Sequence, residues 1–247
     1  PEYLTVLKGV IDIPDLPLNV SRSYLQNEPQ IKKISEHITK KIADKFVGMS
    51  KTEPEKFIEF WKDIHPFVKY CMMRDEKFSE RLSEHMIFKS TTGEYTTLDA
   101  YLERMSEKTD NKIVYISDET SQAHLAQMYR DQELEAIVAD SPIDRHFIPY
   151  FEMKSDKKYS FQRIDADLSA HLKNGDAASE IVDPKDQKTK SQRIEDLFKE
   201  HLSLGDVQVE VSHLKSEKLA AMLVVGENER RMKEMAQYMP LGDLASL

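Results

Sequence analysis

The sequence predicts a mixed α/β fold in three parts: a helical layer, a small α-β-α unit with a mostly parallel sheet, and a partial C-terminal α/β unit. Three observations predict it. Apolar residues recur at helical spacing through the first third of the chain, and short apolar runs then alternate with amphipathic segments. A polar stretch with few apolar residues separates the C-terminal unit from the two parts before it.

The helical layer is predicted over residues 29–87, after a strand or short ordered segment over residues 3–13. Pro29 fits a first helical turn, where its missing N–H costs nothing. The first helix carries one apolar stripe at three- and four-residue spacing, formed by Ile31, Ile34, Ile38, Ile42 and Phe46. A third helix is indicated by Phe78, Leu82 and Met86.

Between the first and third helices, residues 52–55 (TEPE) have the pattern of a capping box, with Pro54 just inside a second helix. Pro66 predicts a kink in that helix. Its predicted buried face is formed by Phe57, Phe60, Trp61, Ile64, Phe67 and Val68.

Residues 88–172 are predicted to form the α-β-α unit. The apolar strands KIVYIS (112–117) and EAIVAD (135–140) alternate with three helices: LDAYLERM, a segment through Ala123, Leu125 and Met128, and PIDRHFIPYF. This order predicts a parallel strand pair with a right-handed crossover. The segment KKYSFQRI (157–164) is a further strand candidate.

The last part is predicted to begin another domain. Residues 173–192 are polar and indicate a linker or mobile loop. Residues 193–247 then contain, in order, the predicted helix IEDLFKEHL, the strands VQVEVSHL and LAAMLVV, and the helix ENERRMKEMAQYM.

Composition excludes several classes of protein. The formal net charge of −9 argues against nucleic acid as a main partner, and no apolar run approaches the roughly 20 residues of a membrane span. The lone cysteine, Cys71, suits a reducing cytoplasm. None of the seven glycines forms a phosphate-binding motif, and the histidines have no metal-ligand spacing.

Three stretches together resemble the heat shock protein 90 family of chaperones, of the bacterial HtpG type. They are KGVIDIPDLPLNVSRSYLQ (8–26), FKSTTGEYTTLDAYLERM (88–105) followed by KIVYI, and ENERRMKEMAQ (227–237). The order and spacing of the three agree with the family. The resemblance implies an ATP-dependent chaperone that binds unfolded clients and forms a homodimer.

The resemblance also implies that the chain is a fragment. Residues 1–172 match the later part of the family's middle domain, and residues 193–247 match the start of its C-terminal domain. ATP and Mg²⁺ would be bound by an N-terminal domain of the full-length protein. We therefore expect this fragment alone to bind neither and to be inactive, whereas the parent protein resembles an ATPase.

Arg22 is the candidate catalytic residue, with Asn19 and Gln26 beside it. A single arginine at a helix start most often pairs with an acidic surface group. The resemblance instead implies that Arg22 reaches the γ-phosphate of ATP in the N-terminal domain, where a permanently charged planar donor stabilises phosphoryl transfer. The family has glutamate at the position of Ser23.

Met232, Met235 and Met239 are the candidate client-binding residues, since their spacing places them on one helix face. The simpler interpretation is that they pack into a core. Methionine is also over-used on surfaces whose partners vary, and the matching helix of the family contacts clients. Exposure of these side chains would favour client contact.

The sequence alone leaves two alternatives open. The family has an acidic and aromatic client-contacting pair where this chain has Arg145 and His146, so the nearby Phe147, Tyr150 and Phe151 either supply aromatic surface or anchor their helix to the sheet. The whole chain could also be a non-enzymatic interaction scaffold with no coupling to ATP. The segment DLPLNVSRSYLQ favours the chaperone, since a scaffold has no need of that loop.

Overall fold

The computed structural model describes residues 29–156, 158–166, 188–201, 209–211 and 224–236. The chain divides into two units. The first comprises Pro1–Ser121 and Glu135–Phe161, and the second comprises Gln122–Leu134 and Gln162–Leu247. The fold is mixed α/β, as the sequence predicts. The domain boundaries proposed above remain predictions.

The helical layer of the first unit consists of α1 (Pro29–Thr52), α2 (Pro54–Arg74) and α3 (Glu76–Leu82), followed by a 3₁₀ turn (Ser83–His85). Each of the three helices packs against the other two. The predicted apolar stripe of α1 is partly or fully buried, which confirms the layer.

The predicted capping box at residues 52–55 is wrong. Helix α1 continues to Thr52, whose Oγ1 donates to the carbonyl of Gly48 at 2.9 Å. Glu53 is the N-cap of α2, but its side chain makes no cap hydrogen bond and pairs with Lys56 instead. Two helices joined by one residue leave Thr52 in the preceding helix, so it cannot cap the next one. Pro54 begins α2 as predicted.

The predicted buried face of α2 is too wide. Phe57, Trp61 and Val68 are buried, but Phe60 is 41% exposed and Phe67 is 46% exposed. At about 100° per residue, both lie on the flank of the stripe that Phe57, Trp61 and Val68 form. Phe60 still stacks on Phe46 of α1, with ring centroids 5.9 Å apart. The helix continues through Pro66 to Arg74.

A β-hairpin, which no sequence pattern indicates, follows the helical layer. Its strands are β1 (Ile87–Lys89) and β2 (Tyr95–Thr97), paired antiparallel with Phe88 opposite Thr96. The turn between them contains Gly93 at a φ of 97°, which a side chain would strain. Helix α4 (Leu98–Met105) begins directly after β2.

A second sheet has the order β4-β3-β5, formed by Ile137–Val138, Ile113–Ile116 and Phe161–Arg163. β3 and β4 are parallel, with Tyr115 opposite Ile137, which confirms the predicted parallel pair. All four residues of β3 are buried, as expected for a strand covered on both faces. The strands are shorter than predicted, and the handedness of the crossover stays a prediction.

Helix α6 (Asp144–Lys154) follows β4 and contributes aromatic residues to the core of the first unit. Phe147 stacks on Phe151 and Phe151 stacks on Tyr159, with centroid distances of 5.3 and 5.5 Å. This core is continuous with that of the helical layer, which contains Phe57, Trp61, Met72, Phe78 and Leu82.

The stretch Phe88–Met105, which supports the family resemblance, has a structural role. Phe88, Leu98 and Tyr101 are buried. The Tyr101 hydroxyl donates to the Glu135 carbonyl at 2.9 Å and accepts from the Val114 N–H at 3.2 Å. It therefore joins α4 to β3 and to the segment that leads into β4.

Tyr101→Phe is expected to lower the free energy of unfolding by about 1–2 kcal/mol, because the buried N–H of Val114 and the partly buried carbonyl of Glu135 each lose a partner. Urea denaturation of the two proteins measures the loss. Tyr70→Phe is the matched control, since Tyr70 is exposed on α2 and its change should leave stability unaltered. Equal stability of the Tyr101→Phe protein and the unmodified chain would contradict the bridging role.

The second unit contains α5 (Ala123–Asp131), α7 (Lys190–His201) and α8 (Glu227–Ala236) among its described residues. Helix α7 begins four residues before the predicted Ile194, inside the stretch expected to be a linker. The predicted strands 207–214 and 219–225 fall largely outside the described residues, and the predicted strand 3–13 falls wholly outside them. Among the described helices, none is long and apolar enough to span a membrane.

Candidate functional site

The candidate catalytic residues Arg22, Asn19 and Gln26 lie outside the described residues, as does Ser23. Their roles therefore stay predictions. The described part of the candidate client-binding site is helix α8, which carries Met232.

Helix α8 is anchored at its first residue by Glu227. The Oε1 atom of Glu227 accepts from Arg230 Nη2 at 2.5 Å and from Arg231 Nε at 2.7 Å. The Oε2 atom accepts from the backbone N–H of Arg163 at 3.0 Å. An acidic residue in the first turn also interacts favourably with the helix dipole.

The surroundings of Glu227 keep its carboxylate charged. Burial raises the pKa of Glu227, but the hydrogen bonds from Arg230 and from the Arg163 N–H lower it, as do the charges of Arg230 and Arg231. The net result is a pKa below the usual value for glutamate. At neutral pH the anchor is therefore ionised.

The side of α8 opposite Arg230 is exposed to solvent. Arg230 is buried, whereas Met232 is 68% exposed. Val224 and Val225, just before the helix, are also exposed. The side chain of Met235 and all of Met239 lie outside the described residues. An anchored helix that presents an exposed methionine can contact an apolar segment of another protein.

The region around Arg145 and His146 is a second candidate from the sequence. Both side chains are exposed, but Phe147 and Phe151 are buried. The Tyr150 hydroxyl donates to the Met72 carbonyl at 2.7 Å. These aromatic residues anchor α6 and do not form a surface for clients.

Asp144, at the start of the same helix, forms a buried ion pair that the sequence patterns do not indicate. Lys69 Nζ lies 2.5 Å from Asp144 Oδ1, and each side chain is 2% exposed. The Lys69 ammonium also lies 4.6 Å from the centroid of the Phe88 ring. The sequence does contain one signal at Lys69, which is the one charged residue in the run FVKYCMM, but this signal does not point to Asp144.

Metal chemistry receives no support from the described residues. Within the described ranges, no group of three or more His, Cys, Asp and Glu side chains is placed to bind a metal ion. His65, His85, His124 and His146 lie on different elements.

Comparison with known proteins identifies the family. The model of the family described as Hsp90 protein matches residues 1–239. The chain belongs to the Hsp90 family. Several of its relatives are bacterial proteins named chaperone protein HtpG. The chain is 35% identical to the chaperone protein HtpG of Porphyromonas gingivalis, over 97% of the chain and 36% of that protein.

A second bacterial relative gives a similar match. The chain is 35% identical to HtpG of Chlorobium chlorochromatii, over 70% of the chain and 29% of that protein. The middle domain of a Plasmodium falciparum heat shock protein is a similar solved structure, with 19% identity, a TM-score of 0.46, and coverage of 56% of this chain and 58% of that one. The chain thus spans about a third of the length of its HtpG relatives.

Proposed function

We propose that this chain is part of an ATP-dependent molecular chaperone that binds unfolded or partly folded proteins. The full-length protein would work in the cytoplasm as a homodimer. Membership of the Hsp90 family supports this proposal, and the observation that carries the contribution of this chain is the exposed Met232 on an anchored helix.

The contribution to ATP hydrolysis would come from Arg22. ATP, with Mg²⁺, would be bound by the N-terminal domain and would supply the γ-phosphate whose transfer to water drives the cycle. The Arg22 guanidinium would donate to that phosphate and offset the negative charge on its oxygens. Asn19 would help to hold the loop, and Gln26 would be the third polar residue of the site. Because the arginine comes from another domain, hydrolysis would require the domains to close.

The contribution to client binding would come from the methionine face of α8. The spacing of Met232, Met235 and Met239 predicts that they share one helix face. Methionine side chains are flexible and polarizable, so they fit apolar segments of different shapes. Glu227 fixes the start of the helix through Arg163, Arg230 and Arg231, which limits the entropy lost on binding.

Met232→Asp in the full-length protein is expected to weaken client binding by roughly tenfold or more, because a charge replaces an exposed apolar contact of the proposed surface. The Kd for a fluorescently labelled, permanently unfolded protein, measured by anisotropy, checks this. Met153→Asp is the matched control: Met153 is 69% exposed, against 68% for Met232, but lies on α6. Equal effects of the two substitutions would contradict the proposed surface.

A further inference from the structure

The buried ion pair in the first unit has a histidine beside it. His65 lies on α2 one helical turn before Lys69, and Lys69 pairs with Asp144 at the start of α6. The Nδ1 atom of His65 is buried and has no hydrogen-bond partner among the described residues. A buried ring nitrogen without a partner is unusual, because its desolvation is not compensated.

The pair also joins two elements that are distant in sequence. Lys69 and Asp144 are separated by 75 residues, and their contact lies where α2 packs against α6. Asp144 Oδ2 additionally accepts from the Ser141 N–H at 3.2 Å, so the carboxylate also holds the turn before α6. A change in charge at this point therefore acts on the packing of both helices.

Four influences act on the charge of His65. Burial lowers the pKa of His65, and the charge of Lys69 on the same helix lowers it further. Asp144 on α6 and Asp140 in the connection before α6 act in the opposite direction. The net shift is downward, so the folded protein holds His65 neutral at a pH where a free histidine is already partly charged.

We propose that His65, Lys69 and Asp144 form an acid-sensitive joint, in which protonation of His65 under weakly acidic conditions loosens the packing of α2 against α6. An imidazolium at this position places a second cation near the Lys69 ammonium and competes with it for Asp144. The Phe88 and Phe147 rings, which lie 4.6 and 5.9 Å from Lys69 Nζ, become accessible when the helices separate.

The sign of the pH dependence follows from the direction of the shift. The unfolded chain takes up a proton at His65 near pH 6.5, whereas the folded chain does so only at a lower pH. The stability that the neutral His65 confers is therefore complete above about pH 6.5 and is lost as the pH falls toward the folded pKa. Within that window the folding equilibrium constant falls by at most about tenfold per pH unit, the limit for uptake of one proton.

The experiment compares the 247-residue chain with its His65→Gln variant, which cannot be protonated in this range. Urea denaturation at about pH 7.5 and about pH 5.5 measures the folding equilibrium constant of each. On acidification, we expect the folding equilibrium constant of the unmodified chain to fall several-fold more than that of His65→Gln. His37→Gln is the control, since His37 is an exposed histidine on α1, and it should behave as the unmodified chain does.

Hydrogen exchange then locates the effect. Protection factors of amides in residues 61–74 and 144–154 should fall at the lower pH in the unmodified chain, and they should not fall in His65→Gln. Equal acid sensitivity of these two proteins would overturn the proposal. Loss of protection spread evenly over the first unit would also overturn it, because acidification would then act on the whole unit and not at this joint.

Discussion

We expect Asp144→Ala to lower the free energy of unfolding by about 3–5 kcal/mol, a larger loss than Tyr101→Phe or any exposed substitution should cause. The loss is large because the ammonium group of Lys69 remains. Lys69 is 2% exposed, so the loss of Asp144 leaves a buried cation without its counter-ion. Burial lowers the pKa of Lys69, and the charge and hydrogen bond of Asp144 oppose that shift. Without Asp144, Lys69 releases its proton more readily, which sets an upper limit on the cost.

Two further variants separate the ion pair from its surroundings. The double variant Lys69→Met with Asp144→Leu replaces both charges by apolar groups of similar size, and its stability should be within about 1 kcal/mol of the unmodified chain. Glu76→Ala removes an exposed ion pair that also reaches α6, through Lys154, and should have no measurable effect. Urea denaturation measures all three. A cost below about 1 kcal/mol for Asp144→Ala would show that the pair does not hold the helices together.

The second large effect is expected on catalysis. Arg22→Ala in the full-length protein should slow ATP hydrolysis by roughly 10²–10³-fold, at or below the lower end of what phosphate-directed arginines contribute. ATP affinity should change little, because the nucleotide would be bound by the N-terminal domain. Steady-state turnover measures the first quantity, and calorimetric titration with a slowly hydrolysed analogue measures the second.

Controls for Arg22 distinguish its geometry from its charge. Arg22→Lys keeps the charge but loses the planar pair of donors, so it should restore part of the turnover at most. Arg74→Ala removes an exposed arginine at the end of α2 and should leave turnover unchanged. The chain of 247 residues alone should bind no ATP. Normal turnover in Arg22→Ala would refute the proposed role and favour the scaffold alternative.

How much of the fold can be predicted from the sequence depends on how local each signal is. Helices α1 and α2 are predictable because their apolar residues repeat over several turns, and that period is independent of the rest of the fold. The parallel pair β3–β4 is predictable because each strand is a compact apolar run next to a helix. The β1–β2 hairpin is not, because strands of three residues are too short to show a period.

The same distinction between local and distant signals applies to the site residues. Arg22 and the methionines of α8 are found through motifs, which are contiguous in sequence. The bond of the Tyr101 hydroxyl to Glu135 and the pairing of Lys69 with Asp144 join residues 34 and 75 positions apart. No local pattern encodes such pairings. The structure also narrows the buried face of α2, because only the tertiary neighbours determine how much of a helix is covered.

The sequence by itself determined the family, the long helices α1 and α2, the parallel pair β3–β4, and the residues proposed to act on ATP and clients, because periodicity and motifs are properties of neighbouring residues. Only the tertiary structure decided that Lys69 is buried, that Asp144 is its partner and that His65 lies beside them. The physical reason is that the charge of a side chain is evident from its type, but the free energy of that charge depends on burial and on partners from distant parts of the chain.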